Sequence, residues 1–239
     1  KAITTVVKNF LYYPRPNKQL QYLGDTMVKT APLLMCALSV MFAYKVGLFN
    51  IGAAGQYVAG AGASLYCALA WHLPWYICLL AAIAAGALWG SLSGILKAYC
   101  NVNEVISCIM LNWIGLYLVN ILLTNVKEVA SPYTLAIAGY SPASMLPTAG
   151  LNTLFNNSKY VTIAIPMAIV AAILIWVLLE RTRFGYELKA TGFNKYAARY
   201  CGMKEKQNII ATMAIAGGLA GMGAALLFLT GFEQWSCTQ

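Results

Sequence analysis

Charge is scarce in this sequence. Only 10% of its 239 residues are charged and 60% are hydrophobic, whereas a soluble domain carries roughly 25% charged residues. That composition leaves almost no room for a soluble fold. Acids are the scarcer sign, seven against sixteen bases, and histidine occurs once. The apolar segments hold no Asp and no paired carboxylates, and the chain contains neither an HExxH run nor a P-loop signature. Membrane proteolysis and hydrolysis need polar groups that converge at depth, and ATP hydrolysis needs a phosphate cradle, so these absences argue against all three in this chain. The cysteines, Cys36, Cys67, Cys78, Cys100, Cys108, Cys201 and Cys237, form no CxxC pair and fall mostly within apolar runs. They read as small buried hydrophobes, not as disulfides or metal ligands. His72, between Trp71 and Leu73, reads as an interfacial side chain. The chain opens on Lys1 without a signal-peptide pattern and stops at Gln239 just after an apolar segment, so we expect a piece of a longer membrane protein.

Apolar segments of spanning length fill the remainder. They predict an all-α, polytopic transmembrane helix bundle with about six spans: 26–44, 50–71, 75–97, 104–124, 160–180 and 207–230. Each is close to the roughly 20 residues a bilayer crossing needs. Asp25 or Thr26 is the expected cap of the first and Asn103 of the fourth. Residues 1–25 mix bases with tyrosines and read as an interfacial N-terminal segment, with a helix lying on the membrane before Pro14. Residues 26–239 form the membrane domain. Small residues recur at four-residue spacing: Gly86, Gly90 and Gly94; Gly217, Gly221 and Ala225; and, in the second span, Gly52, Gln56 and Gly60 beside Gly55, Ala59 and Ala63. Such stripes let helix backbones approach closely in lipid.

The most polar run between spans is 181–206, with seven bases against two acids, net +5. Basic loops stay on the cytoplasmic side, which puts this loop, Lys45 and 97–103 inside, and residues 1–25 and the long loop 125–159 outside. Four bases in the N-terminal segment oppose this orientation, but the cytoplasmic total is larger. The same rule accounts for the formal charge of +9 without nucleic acid. Within the loop, Asn194 is a good N-cap, Lys195 to Cys201 has no helix breaker, and Gly202 sits where a left-handed residue is wanted. A short helix with Phe193, Ala197 and Tyr200 on one side is expected.

Glu104 is the one acid near a span that an ion-coupled carrier or channel would use, and its place at a helix start also suits the helix dipole. The amides say more. Asn50 and Gln56 open the second span, and Asn112 with Trp113 lies in the fourth. With Phe49 and Tyr57 nearby, they suit a neutral polar solute that is hydrogen-bonded and stacked. Interhelical hydrogen bonding is an equally good account of each amide.

Several stretches carry a resemblance. VGLFNIGAAGQYVAGA at 46–61, NVNEVISCIMLNWIGLYL at 101–118, SPASMLP at 141–147, LLERTRFGYELKATGFNKYAARYCGMK at 178–204 and GGLAGMGAALL at 217–227 resemble, in that order, segments of ABC-transporter permeases for nucleosides and simple sugars. That family is related to the ribose and branched-chain amino-acid permeases. One departure is Ala54, where an acid is expected. The resemblance implies a cell-membrane permease subunit that is no enzyme and holds no cofactor, with ATP bound by a partner. The implied partners are a second permease subunit, a cytoplasmic ATPase, an extracytoplasmic substrate-binding protein and membrane lipid. It implies ATPase coupling through Glu187, Gly192, Asn194, Ala197, Ala198 and Gly202, and a solute pathway that includes Phe49, Asn50, Gln56, Asn112 and Trp113. A branched-chain amino-acid or ribose-type permease is the alternative within the class.

Overall fold

Apolar runs become helices here, the first of them with Pro32 inside it, and glycine decides how those helices meet. The computed structural model describes residues 4–5, 16–129, 131–156, 158 and 160–237. Among them the only β contacts are two isolated bridges, Lys127 with Thr134 and Tyr133 with Ser236. Long helices are α1 (Pro16–Lys45), α2 (Ala53–Leu69), α3 (Trp75–Cys100) and α4 (Glu104–Leu123). After α4, the 125–159 region holds two one-turn helices, α5 (Ile137–Tyr140) and α6 (Leu151–Leu154). Then come α7 (Ala164–Arg181), α8 (Arg183–Phe193), α9 (Lys195–Tyr200) and α10 (Glu205–Phe228).

Among the helices whose bounds differ from expectation, two matter for the bundle. The first helix does not open at Asp25 or Thr26; it opens at Pro16 and runs through both. Thr26 donates back to the Tyr22 carbonyl at 2.9 Å, as a mid-helix threonine does, and Asp25 accepts from the Ser158 hydroxyl at 2.6 Å. Proline is tolerated at a helix start because the N–H it lacks would be unsatisfied there. Most of the segment expected to lie on the membrane before Pro14 falls outside the described residues. The second difference is α2, which has 17 residues. At 1.5 Å per residue it is about 26 Å long, short of the roughly 30 Å hydrocarbon core. Five other helices, α1, α3, α4, α7 and α10, are long and apolar enough to cross a bilayer.

Helix α10 is the axis of the bundle, and it is the most buried of the spans. It touches α3 through glycine on both sides. A Cβ added to Gly86 would strike the Gly217 carbonyl oxygen, one on Gly90 the Met213 carbonyl, and one on Gly221 the Ala82 carbonyl. Gly60 of α2 meets Gly221 in the same way. The second small-residue row of α2 faces α4, where a Cβ on Gly55 would lie 2.9 Å from the Asn112 Cα. Lipid provides no hydrophobic drive between helices, so association rests on close packing of this kind. Each atom pair contributes only about 0.1–0.2 kcal/mol, and such contacts count collectively.

The loops sort to two ends. At one, the turn at 46–48, the α3–α4 connection and α8–α9 come together: Lys97 pairs with Glu104 at 2.6 Å and Lys206 lies over the Tyr99 ring at 4.5 Å. At the other, the 125–163 region closes over the α2–α3 turn and the tail after α10. Ser144 donates to the Leu73 carbonyl, Leu146 N–H to Leu229, and the Trp235 indole to Asn120. Helix α2 reaches the second of these ends and, at its start beside Asn112, stops short of the first.

Gly217→Leu is expected to force α3 and α10 apart and to cost about 3 kcal/mol, the upper end of overpacking penalties. Ile121→Ala, on a strongly exposed α4 position, is expected to change little. Thermal unfolding of both variants in detergent checks this; equal midpoints would refute the role of the stripe.

Candidate functional site

The most polar feature inside the bundle is the start of α2. Helix α1 ends in a Schellman turn: Leu48 N–H reaches the Ala43 carbonyl at 2.9 Å, Gly47 N–H reaches Tyr44 at 3.0 Å, and Gly47 has φ of 76°. The chain then runs without regular helix to Gly52. Irregular backbone at membrane depth needs protein partners for its polar groups, and side-chain amides supply them. Asn112, eight residues and thus about 12 Å into α4, donates to the Ile51 carbonyl at 3.2 Å and accepts from Gly55 N–H at 2.8 Å. Asn50 and Gln56 bond each other reciprocally, at 2.9 and 3.1 Å. Asn50 also donates to Ser39 of α1, whose hydroxyl donates to the Ala216 carbonyl of α10 at 2.6 Å. Asn50 and Gln56 are 2% and 1% exposed, and their hydrogen-bonding groups are directed to each other. Phe49 and Trp113 point outward and are about half exposed, Trp113 stacked with Tyr117.

The basic loop is a two-helix element. Thr182 caps α8 by accepting from Gly185 N–H at 3.0 Å. Asn194 caps α9 by accepting from Tyr196 and Ala197 N–H at 3.0 and 3.1 Å. Gly202, with φ of 79°, closes α9 in a second Schellman turn, in which Met203 N–H meets the Ala198 carbonyl and Gly202 N–H meets Arg199. The cap and the stop were legible in sequence; α8 was not expected. Ala198 is 4% exposed, whereas Phe193 and Tyr200 are 91% and 94% exposed. Glu187 is half-buried on α8, and its carbonyl accepts from Thr191, which in turn accepts from Asn208 of α10 at 2.8 Å. Gly192 lies backbone to backbone on Val46 and Gly47, where any Cβ would strike the Val46 carbonyl. A pocket of about 360 Å³ lies between this loop, the 46–48 turn and the Lys97–Glu104 pair.

A larger cavity, about 570 Å³, lies between α1, α2 and α10. Pro32, Leu33, Cys36, Ala54, Tyr57 and Leu227 line it, and Lys29 and Glu233 stand at one side, 3.5 Å apart. The same two residues also line a second chamber of about 350 Å³ that reaches Asp25, Tyr160 and Thr230. The sequence reading passed over Lys29 and Glu233. The signal for Lys29 was a base inside the first apolar run; Glu233 gave none, because only the fold returns the tail to α1. Ala54, the departure from the expected acid, lines this cavity.

The fold and these features define a multi-pass membrane protein with a rigid basic element at one end and an open, solute-sized groove between α1, α2 and α10. Residues 22–238 match the family described as branched-chain amino acid transport system / permease component, and the chain belongs to that family. Its members are permease components, transport proteins of the cell membrane and not enzymes. The chain is 36% identical over 219 residues to the guanosine ABC transporter permease protein NupP of Bacillus subtilis (strain 168), covering 90% of this chain and 62% of that protein. It is 33% identical to the nucleoside ABC transporter permease protein NupB of Lactococcus lactis subsp. cremoris (strain MG1363), covering 85% of this chain and 58% of that protein. To the glucose ABC transporter permease protein TsgB13 of Haloferax volcanii it is 32% identical, over 84% of this chain and 55% of that protein. The chain thus spans rather more than half the length of these relatives. No solved structure matches it.

If Asn50 and Gln56 act as a clasp, removing one partner leaves the other unpaired at a cost of about 1–3 kcal/mol, whereas replacing both is milder. Asn50→Leu and Gln56→Met are each expected to lower the thermal midpoint in detergent, and the double variant to recover part of the loss. Strictly additive losses would remove the clasp.

Proposed function

We propose that this chain is the membrane-spanning part of a permease subunit in an ABC importer that moves a nucleoside across the cell membrane, with a simple sugar as the second choice of solute. Family membership and the names of its relatives support the class. The observation that carries the ATP-driven reading is α9. It is capped at both ends, so it moves as a unit, and it presents Tyr196 and Tyr200 outward beside Phe193 at the end of α8. Gly192, near the end of α8 that leads into it, rests on the turn that leads to the broken start of α2.

In this reading the 181–206 end is cytoplasmic and 125–159 is external. A partner ATPase grips α8–α9 through the surface around Glu187, Gly192, Asn194, Ala197, Ala198 and Gly202. Closure of the ATPase dimer moves α9, and a rigid-body displacement passes to α1 and α2. A second permease subunit completes the membrane assembly, and an extracytoplasmic binding protein delivers solute to the 125–159 end. Asn50, Gln56 and Asn112 hold the unwound segment that floors the pathway, with Phe49 and Trp113 on its flanks. Two readings compete. The family description supports a branched-chain amino acid as solute. An ion-driven carrier would need Glu104 as its coupling acid, and the 2.6 Å pairing with Lys97 argues against that role.

In cells carrying the intact transporter and its encoded neighbours, nucleoside uptake is expected to require the ATPase. Gly202→Pro removes the N–H that closes α9 and forbids the positive φ; Ala198→Arg has no room for its side chain. Both are expected to abolish uptake while the protein still reaches the membrane. Normal uptake by both would refute coupling through α9, and uptake that survives loss of the ATPase would refute the ABC reading.

A further inference from the structure

Lys29 and Glu233 are the charged residues shared by the two chambers, so a solute passing from one to the other meets both. Their contact is loose. At 3.5 Å with partly exposed side chains it is a weak ion pair, one a solute can open at little cost. Opened, the pair offers a cationic donor beside a two-oxygen acceptor. The charges around the mouth are Asp25, Lys29 and Glu233, two acids to one base, which disfavours a phosphorylated solute. Beyond the pair the cavity wall is Pro32, Leu33, Ala54 and Leu227 with the Tyr57 ring. A zwitterion would have to give up partners for both of its charges to enter there, whereas a neutral planar ring would keep an apolar and aromatic surface against it. A cavity of about 570 Å³ is within the range of small-molecule sites.

We propose that the Lys29–Glu233 pair is the recognition point for the solute and reads the edge of a guanine-type base, with Glu233 accepting from the ring N–H and the exocyclic amino group and Lys29 donating to the adjacent carbonyl. The inference rests on the reading of this chain as part of a nucleoside importer. It deepens that reading by naming the base edge and the residues that select it. Guanine is the common base that carries two adjacent N–H donors next to a carbonyl, which matches one carboxylate beside one ammonium. The apolar chamber then receives the ribose side or the ring face as the solute advances towards α2.

The test is initial-rate uptake of guanosine and inosine by the intact transporter with its encoded neighbours. Inosine lacks only the amino group, so one charge-assisted hydrogen bond separates the two. Wild type is expected to favour guanosine by about tenfold in kcat/KM, the ratio one such bond supplies. Glu233→Gln keeps one acceptor oxygen and replaces the other with an NH2 donor, so it is expected to lower guanosine uptake more than inosine uptake and to bring that ratio towards one. On the wild-type transporter, 1-methylguanosine and N2,N2-dimethylguanosine, each of which lacks one of the two donors, are expected to compete at least about tenfold more weakly than guanosine, and 7-deazaguanosine as well as guanosine, a readout that needs no variant to fold. An unchanged guanosine-to-inosine ratio in Glu233→Gln, or equal competition by the methylated bases, overturns the recognition role and leaves nucleoside import standing. Uptake of leucine or glucose with no nucleoside uptake overturns both.

Discussion

Everything in this bundle depends on how closely α3 and α10 approach. Carbonyl oxygens of one helix occupy the space where side chains of the other would begin, at Gly86, Gly90, Gly217 and Gly221. That contact places α10 at the centre, and α1 and α2 then pack around it, with Gly60 repeating the arrangement from the α2 side. In water such surfaces would be driven together by burial of apolar area. In lipid the tails are as apolar as the side chains, so shape has to decide. The glycines are therefore the positions least able to change, although none carries a functional group.

The polar interior follows from the same economy. A chain with so few charges places its amides where backbone groups have lost their helical partners. Asn112 supports the start of α2 from α4, and Asn50 and Gln56 connect α1, α2 and α10 through Ser39. The amides thus account for a broken helix at depth without any ion. They also hold that helix start firmly against α1 and α4.

Legibility in the sequence was uneven for physical reasons. Spans are legible because an apolar run of 20 residues has few other uses, and the small-residue stripes because four-residue spacing marks one side of a helix. The caps at Asn103, Asn194 and Gly202 were legible because each satisfies local backbone groups. The start of α1 was not, since Asp25 has the chemistry of a cap but is used by Ser158 from a distant loop. The true start of α2 was hidden as well: Ile51 and Gly52 are apolar and small enough to continue a span, and only the position of Asn112 reveals that they do not. Glu233 belongs with Lys29 solely because the tail after α10 folds back, a relation that no local pattern contains.

The shortness of α2 has a consequence for biogenesis. A 17-residue helix that carries an amide and three glycines offers too little continuous apolar length to be stable in lipid by itself. The hydrogen-bond partners of its start lie on α1 and α4 and its closest glycine contact is with α10, and the last two are synthesised after it. During synthesis α2 is therefore held in the bilayer chiefly as one arm of a hairpin with the much more apolar α3, joined by the short turn at 70–74. Its final depth is set only when α4 and α10 arrive, so the last helix of this chain to leave the ribosome determines where its second helix comes to rest.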